Sequence, residues 1–276
     1  MPNRPTHRVL SLILVILTAL VVLSSLSVAL VVRWNTPSKE DPNMNDQPAF
    51  IPEDPYLLLT NKDHPLPSTY EPDPVSVLPV DLTLHKKEIF LESTVAEAAE
   101  KLVRDLHKQG YTDIRITSGY RTYQYQVEVF NYYINVVEKD NHPHLSREER
   151  EKIVLTYSAR PGQSEHQTGL CMDLISNATE KPVLDETFAL NPAYEYLLAH
   201  AHEYGFILRY PKGKESVTKY TYEPWHYRYV GVETATKIHA EGLTLEEYLD
   251  AVVPAESTSI VPGDIPPAEN APEGHG

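Results

Sequence analysis

Cysteine is almost absent from this sequence. The single cysteine among 276 residues is Cys171. One thiol cannot form an intrachain disulfide, and it cannot supply a cysteine-rich zinc cluster. The chain is nevertheless compatible with an oxidising exterior, because no second thiol needs a partner. We therefore expect any metal site in this protein to use histidine and carboxylate side chains.

Basic residues are also in short supply, because 24 lysines and arginines stand against 39 aspartates and glutamates. The formal net charge of -15 argues against nucleic acid as a partner, since nucleic-acid phosphates require a basic surface. It also argues against general adhesion to anionic lipid head groups. The simplest interpretation is a solvated surface that keeps copies of the chain apart. We expect a monomer that binds no nucleic acid.

One long uncharged apolar segment lies near the N-terminus, at residues 9–32. About 20 residues are enough to cross the hydrocarbon core of a bilayer, whereas the apolar part of a signal peptide has only about 7–15. The segment therefore predicts a single transmembrane anchor, and Ser27-Val28-Ala29 leaves cleavage as the alternative. Arg4 and Arg8 precede the segment, which favours an N-terminus inside the cell and a chain outside it, although Arg33 weakens the contrast.

The rest of the chain divides into a folded region between polar ends. Residues 1–8 form the predicted cytoplasmic N-terminus. Residues 33–55 are rich in proline, acids and asparagine and predict a linker that holds the domain away from the membrane. The Pro-rich tail at residues 254–276 is predicted to be disordered, because it can bury little apolar surface. One domain remains, at residues 56–253, and it is large enough to bury a sizeable core.

Helical and strand patterns are mixed within this domain. Apolar residues recur at helical spacing over residues 93–109, between Ser93 as a candidate N-cap and Gly110. Further helices are predicted at residues 122–137, 147–157, 192–204 and 245–252, and strands at residues 56–60, 114–117, 169–175, 206–210 and 225–230. Because strict βαβ alternation is missing, the pattern predicts an α+β domain.

Three segments carry side chains suited to a metal-dependent hydrolase. A catalytic zinc ion usually takes three protein ligands, of histidine or carboxylate type here, and leaves one position for water. His166, Asp173 and His226 offer two nitrogens and one oxygen. Glu223 stands three residues before His226 and is suited to take a proton from water and pass it to a leaving amine. Arg121 offers a cationic fork for a carboxylate or a developing oxyanion.

Spacing alone leaves ordinary structural explanations open. A histidine seven residues before an aspartate is also what a surface histidine and a capping aspartate would give. His226 lies beside Trp225 and could be a histidine whose hydrogen bonds are satisfied inside a core.

Several motifs narrow this choice. They are, in chain order, YLLLTNKDHPLP at residues 56–67, SGYRTYQYQ at 118–126, ARPGQSEH at 159–166, SEHQTGLCMD at 164–173 and EPWHYRYVG at 223–231. The fourth resembles the Ser-x-His-x-x-Gly-x-Ala-x-Asp motif, and the fifth the Glu-x-x-His motif, of the VanY-type D-alanyl-D-alanine carboxypeptidases and their L,D-carboxypeptidase relatives. The others resemble that family's opening segment, its substrate-side segment and the loop before its first ligand. The resemblance covers about residues 56–252.

The resemblance implies a compact single-domain α+β zinc peptidase with a small antiparallel sheet and flanking helices. It implies that Zn2+ is bound by His166, Asp173 and His226, with Glu223 as the catalytic base. Arg121 is implied at the substrate. The other substrate-binding candidates on these motifs are Ser164, Gln126, Ser118, Tyr120 and Trp225.

The implied activity is hydrolysis of the C-terminal D-alanine from peptidoglycan stem peptides by an enzyme anchored in the cell membrane, with its domain on the cell-wall side. The bond stays open, since a D,D-enzyme cleaves between two D-alanines and an L,D-enzyme cleaves after an L-residue. The alternatives are a zinc-stabilised wall-binding module without activity and a structural tether. Glu223 and Arg121 argue against a binding module, because binding needs no general base.

Two features depart from the family pattern. Cys171 stands where the family usually has alanine, and in a strand its side chain shares a face with Asp173. We expect this thiol to fill the site as a small hydrophobe; the alternative is a thiolate near the metal. Residues 135–155 are longer than the family pattern leads us to expect. His142 and His144 are predicted to lie there in a solvated loop before a helix, with an extra metal site as the alternative.

Overall fold

The computed structural model describes residues 54–72, 75–179 and 182–252. The predicted N-terminus, the anchor at residues 9–32 and the tail at residues 254–276 lie outside the described residues, as does the linker through residue 53. Within the described ranges, no helix is both long enough and apolar enough to cross a bilayer.

Strands, helices and short turns alternate along this domain. The strands are β1 (Val75–Val77), β2 (Phe90–Glu92), β3 (Ile114–Ser118), β4 (Cys171–Ser176), β5 (Phe206–Leu208) and β6 (His226–Tyr229). The helices are α1 (Ser93–Lys108), α2 (Tyr123–Tyr132), α3 (Glu138–Asn141), α4 (Arg147–Tyr157), α5 (Pro192–His200), α6 (Glu215–Thr218), α7 (Val232–Glu241) and α8 (Leu245–Val252). One turn of π-helix, Tyr133–Val137, joins α2 to α3.

The main sheet has four antiparallel strands in the order β3-β4-β6-β5, so that β4 and β6 lie at its centre. Asp173 is directly opposite His226, and Cys171 is opposite Arg228. Opposite residues of an antiparallel pair project from the same face of a sheet. β1 and β2 form a separate antiparallel pair. Small antiparallel sheets with flanking helices confirm the predicted α+β class.

The core is built on α1, whose apolar positions predicted a helix at residues 93–109. The helix buries Val95, Ala96, Ala99, Leu102, Val103 and Leu106, in one cluster with apolar residues of β3 and β4 such as Ile116 and Leu174. Burial of this stripe supplies the hydrophobic free energy that holds the helix on the sheet. The N-cap is Glu92 rather than Ser93, because the Glu92 carboxylate accepts a hydrogen bond from the Val95 amide.

Three predicted elements differ from the structure. The apolar run at residues 56–60 forms no strand; Asp54 accepts a hydrogen bond from the Tyr56 amide and starts a 3-10 turn at Pro55–Leu57. The helix predicted at residues 122–137 becomes α2 and the π turn. The helix predicted at residues 192–204 is α5 followed by a 3-10 turn, which ends at Gly205 with a positive φ of 85°.

The segment at residues 135–155 contains α3, a loop and most of α4. Ser146 and Glu149 form a reciprocal capping box that starts α4. His142 and His144 lie in the loop before it, as predicted, and the His142 Nε2 atom is 3.5 Å from a carboxylate oxygen of Glu138. The segment packs a small apolar cluster of its own against α2.

Candidate active site

Three sequence-predicted ligands meet at the central strands. Asp173 on β4 and His226 at the start of β6 are brought together by the register of the two strands. His166 lies on a 3-10 turn, Glu165–Thr168, shortly before β4. Gly169 closes this turn with a left-handed φ of 71°. A turn and two adjacent strands therefore place two imidazoles and one carboxylate at one point.

The distances within this cluster are short. His166 Nε2 lies 3.2 Å from Asp173 Oδ2, and His226 Nδ1 lies 2.9 Å from Asp173 Oδ1. The two imidazole rings are 5.1 Å apart and nearly perpendicular, at 83°. All three side chains are buried. One nitrogen of each ring thus faces the same carboxylate.

The outer nitrogen of each ring is held by a different partner. His166 Nδ1 lies 2.7 Å from the carbonyl oxygen of Gly119. His226 Nε2 lies 3.3 Å from a carboxylate oxygen of Glu165. Acceptors placed in this way fix the tautomer of a metal-binding histidine, because the outer nitrogen carries the proton and the inner one keeps its lone pair. The donor set of two inner nitrogens and a carboxylate fits a zinc ion.

The electrostatics of the cluster favour a positive charge at its centre. Burial by itself lowers the pKa of His166, but negative charge on Cys171 and Asp173 outweighs burial and raises the pKa to about 9. Burial by itself raises the pKa of Asp173, but the two imidazoles outweigh it and hold the pKa well below its usual range. The site therefore attracts a cation, whether proton or metal.

Glu223 lies beside the cluster on the turn that leads into β6. Its Oε2 atom is 3.9 Å from His226 Nδ1, and the carboxylate is almost fully buried. Its backbone carbonyl accepts a hydrogen bond from the His226 amide at 3.2 Å, which ties the two residues into one turn. Burial, with a contribution from Asp173, raises the pKa of Glu223 to about 7. A carboxylate with such a pKa is suited to give and take protons near neutrality.

Arg121 reaches the cluster from the loop after β3. Its backbone amide donates to the carbonyl oxygen of His166 at 2.9 Å, so the loop and the ligand turn are tied together. One guanidinium nitrogen donates to Gln126 Oε1 at 2.7 Å, and the other donates to Ser118 Oγ at 3.2 Å. Gln126 in turn donates to the carbonyl oxygen of Ala159 at 2.7 Å. These bonds hold the guanidinium fork in one orientation.

The cluster forms one wall of a cleft. Of the residues predicted from sequence, Arg121, Ser164, His166, Asp173, Glu223, Trp225 and His226 line it. Ser118 and Gln126 are not among the lining residues; they contact Arg121 from behind. Tyr120 is not among them either, and its backbone amide donates to the Phe90 carbonyl. The structure thus gives Ser118 and Gln126 a supporting position and leaves Tyr120 outside the lining of the cleft.

Aromatic side chains that the sequence analysis did not single out line the same cleft, namely Tyr157, Tyr210, Tyr220 and Tyr222, together with Tyr133. The Tyr210 ring lies 4.9 Å from the His226 ring and 4.9 Å from the Arg209 guanidinium carbon. These residues come from distant parts of the chain. The sequence contains 18 tyrosines, and no pattern in it identifies the ones that line the cleft.

A second layer of buried charge lies behind the ligands, and none of the sequence motifs predicted it. Glu165 is fully buried, and one carboxylate oxygen accepts from Arg209 Nε at 2.6 Å and from Arg228 Nη1 at 2.8 Å. Burial raises the pKa of Glu165, but the two guanidinium groups outweigh it and hold the pKa well below its usual range. Arg209 also binds Glu246 on α8. The signal in the sequence was two arginines inside apolar strand segments, since such arginines require a buried acid.

The same layer joins both ends of the domain. Arg228 donates to the carbonyl oxygens of Tyr56 and Leu58. The Asn61 side-chain amide donates to the Glu246 carboxylate at 3.1 Å. We call Glu165, Arg209, Arg228 and Glu246 the charge network.

The left-handed turn before β4 gives a testable expectation. A Cβ atom at Gly169 would lie 3.1 Å from the Glu92 amide nitrogen, in addition to the cost of a positive φ. Gly169→Ala should therefore lower the free energy of unfolding by more than the roughly 1–2 kcal/mol of the left-handed conformation alone. Urea unfolding measures this difference.

Gly213→Ala is the matched control, because Gly213 has a positive φ of 85° and nothing within 4 Å of the added carbon. Equal losses for the two variants would show that the contact with Glu92 carries no cost.

Known proteins resemble this chain in sequence. Residues 88–232 match the family model "VanY: D-alanyl-D-alanine carboxypeptidase". YodJ of Bacillus subtilis is 39% identical over 198 residues, which cover 71% of this chain and 67% of that protein.

Solved structures extend the likeness to the fold. The LdcB LD-carboxypeptidase superposes with a TM-score of 0.59 at 37% identity, over 71% of this chain and 87% of that one. The vancomycin-resistance D,D-pentapeptidase VanY, solved in complex with Zn(II), superposes with a TM-score of 0.58 at 30% identity, over 71% of this chain and 99% of that one.

Proposed function

Because the chain belongs to the VanY family of D-alanyl-D-alanine carboxypeptidases, we propose that it is a zinc-dependent, membrane-anchored enzyme that removes the C-terminal D-alanine from peptidoglycan stem peptides. The observation that carries the proposal is the meeting of His166 Nε2, His226 Nδ1 and the Asp173 carboxylate, with Glu223 Oε2 3.9 Å from His226. The members of this family are D,D- or L,D-carboxypeptidases that act on peptidoglycan.

His166, Asp173 and His226 would hold the metal. Zinc bound there supplies Lewis acidity towards a peptide carbonyl and towards water. Gly119 and Glu165 keep the two imidazoles in the orientation that this requires, by accepting hydrogen bonds at the outer nitrogens.

Glu223 moves the protons of the reaction. As a carboxylate it accepts a proton from the attacking water, and as a carboxylic acid it passes that proton to the amine of the departing D-alanine. Its burial serves both steps, because a pKa near neutrality makes neither protonation state too stable. No covalent intermediate with the protein is required.

Arg121 binds the carboxylate at the end of the stem peptide. Gln126 and Ser118 occupy one nitrogen each of its guanidinium group and fix the plane of the fork. The remaining N–H groups are available to a planar carboxylate, which a fork of this kind binds with two parallel hydrogen bonds. Ser164 and Trp225, which also line the cleft, complete the contacts around the terminal residue.

The direct test uses the full-length chain purified in detergent. Muramyl tetrapeptide and pentapeptide stems are incubated with it, with zinc or with a chelator, and free D-alanine is followed by mass spectrometry. Release that the chelator abolishes supports the proposal, and the stem that is consumed identifies the bond. Absence of release from both stems by zinc-loaded protein would favour a wall-binding module without activity.

Replacement of Arg121 should weaken substrate binding. A hydrogen bond to a charged group is worth roughly 1.5–3 kcal/mol, so Arg121→Ala should lower kcat/KM by about 10- to 100-fold, mainly through KM. Initial rates over a range of stem concentrations separate the two parameters. Arg147→Ala is the control, because Arg147 is exposed and contacts only Asn131 and Asn135 among the bonds that the structure gives it. A changed kcat with an unchanged KM would contradict the carboxylate-binding role.

The membrane part of the proposal depends on residues 9–32, whose length and lack of charge suit a single span. We expect the full chain in the membrane fraction, with its domain on the cell-wall side, and a chain without residues 9–32 in the soluble fraction. A mature N-terminus immediately after Ala29, determined by mass spectrometry, would instead establish a cleaved signal. Light scattering of the purified chain tests the expected monomer.

A further inference from the structure

A third kind of donor atom lies in the ligand cluster. Cys171 is the first residue of β4 and is fully buried. Its Sγ atom and one ring nitrogen each of His166 and His226 all lie within 4.8 Å of one another. The thiol therefore faces the two imidazoles, on the side of the strand that also carries Asp173.

This arrangement is close to what a zinc ion needs. Zinc binds a thiolate at about 2.3 Å and an imidazole nitrogen at about 2.0–2.1 Å, so tetrahedral ligands stand roughly 3.5 Å apart. The three donor atoms lie within 4.8 Å of one another. Each pair of donor atoms is therefore within about 1.3 Å of the spacing that a tetrahedral zinc ion imposes.

The role of an inert filler accounts less well for this position. A buried cysteine that only fills space behaves as a small hydrophobe, whereas the Cys171 Sγ atom lies within 4.8 Å of a ring nitrogen of each of two imidazoles. The outer nitrogens of both rings already have acceptors in Gly119 and Glu165. The inner nitrogens, which both face the Asp173 carboxylate, and the thiol are thus the donor atoms that one ion would meet.

We propose that the thiolate of Cys171 is a ligand of the same metal ion that His166 and His226 hold. The inference rests on the metal site of the proposed function and deepens it, because it changes the donor set from nitrogen and oxygen alone to one that includes sulfur. With Asp173 retained, the ion would have four protein ligands, and the attacking water would enter as a fifth, an expansion that catalytic zinc allows. Soft sulfur ligands favour zinc and similar thiophilic ions over manganese and magnesium. A thiolate also adds negative charge to the site, so it tightens metal binding and weakens the acidity that the metal confers on water.

X-ray absorption at the zinc edge tests the assignment on the zinc-loaded full chain. The wild-type protein should show a sulfur neighbour at about 2.3 Å in addition to nitrogen and oxygen neighbours at about 2.0–2.2 Å. Cys171→Ala should lose the sulfur neighbour. Met172→Leu is the matched control, because it removes the adjacent sulfur, which lies in the apolar core, and it should keep the sulfur neighbour.

Competition with a chelator provides a second readout. Cys171→Ala should bind zinc at least about tenfold more weakly than wild type, since even outer-layer partners of metal ligands are worth 10- to 100-fold in affinity. Cys171→Ser removes the sulfur and nearly keeps the size of the side chain, so it repeats the test if the alanine variant is misfolded.

A wild-type spectrum without sulfur at about 2.3 Å overturns the assignment by itself, whatever the variants do. The D-alanine assay on the same samples keeps the two proposals separate. A sulfur neighbour without D-alanine release would support Cys171 as a ligand and contradict the carboxypeptidase activity. Release without a sulfur neighbour would support the activity and contradict Cys171 as a ligand.

Discussion

Glu223→Gln lowers the rate of D-alanine release by about 10²- to 10⁴-fold, which is the usual contribution of general acid–base catalysis. Glutamine has the size and shape of the carboxylate but cannot accept and return a proton. The metal content should stay at the wild-type level, because the proposed ligands are His166, Asp173 and His226. Turnover is measured by mass spectrometry of free D-alanine, and zinc by elemental analysis of the same preparation.

Glu148→Gln is the control for this substitution. Glu148 lies on α4, is exposed, and is not among the residues that line the cleft. The same chemical change there should leave turnover within about threefold of wild type, since exposed substitutions away from the reacting atoms have small effects. If Glu223→Gln also stayed in that range, the proton-transfer role would belong to another residue. Loss of zinc from Glu223→Gln would show that Glu223 acts through the metal.

The second large effect is on stability. Glu165→Gln removes the negative charge between Arg209 and Arg228, and both guanidinium groups are fully buried. Arg209 keeps its bonds to the Glu246 carboxylate, but Arg228 is left with backbone carbonyls as acceptors. Breaking a buried ion pair by removing one partner costs about 3–5 kcal/mol, because the remaining charge is uncompensated. We expect the free energy of unfolding to fall by about this amount in denaturant titrations of the zinc-free protein.

Zinc binding should weaken in the same variant, by about 10- to 100-fold, because an amide whose oxygen faces the two arginines turns its NH2 donor, and no acceptor, towards the outer nitrogen of His226. Glu203→Gln is the matched control, since Glu203 pairs with His200 on the surface and the substitution should change stability little. A Glu165→Gln variant as stable as Glu203→Gln would mean that water or other groups already compensate the two arginines.

The sequence was sufficient for the parts of the fold that depend on local periodicity. The stripe from Val95 to Leu106 predicted α1, and the apolar segments around Asp173 and His226 predicted β4 and β6. Their pairing brings together the two residues that the motifs identified. What sequence could not provide was the pairing register itself, since it depends on which strands meet.

Long-range contacts explain most of what was missed. Glu165 lies beside a predicted ligand, yet its partners are more than 40 residues away, and the chain offers 39 acids as candidates for two buried arginines. Gln126 was predicted at the substrate, whereas its side chain spans from Arg121 to Ala159. The run at residues 56–60 looked like a strand because its apolar pattern is local, but its backbone acceptors are used by Arg228.

The charge network sets the limits of the smallest stable domain. Carbonyl oxygens of Tyr56 and Leu58 at one end, and the Glu246 carboxylate at the other, are acceptors for the arginines that hold Glu165 behind His226. Neither terminus can be shortened past these residues without removing a partner of a buried cation. The segment that contains Tyr56 and Leu58 and the helix α8 are therefore joined to each other through the buried arginines behind the metal site.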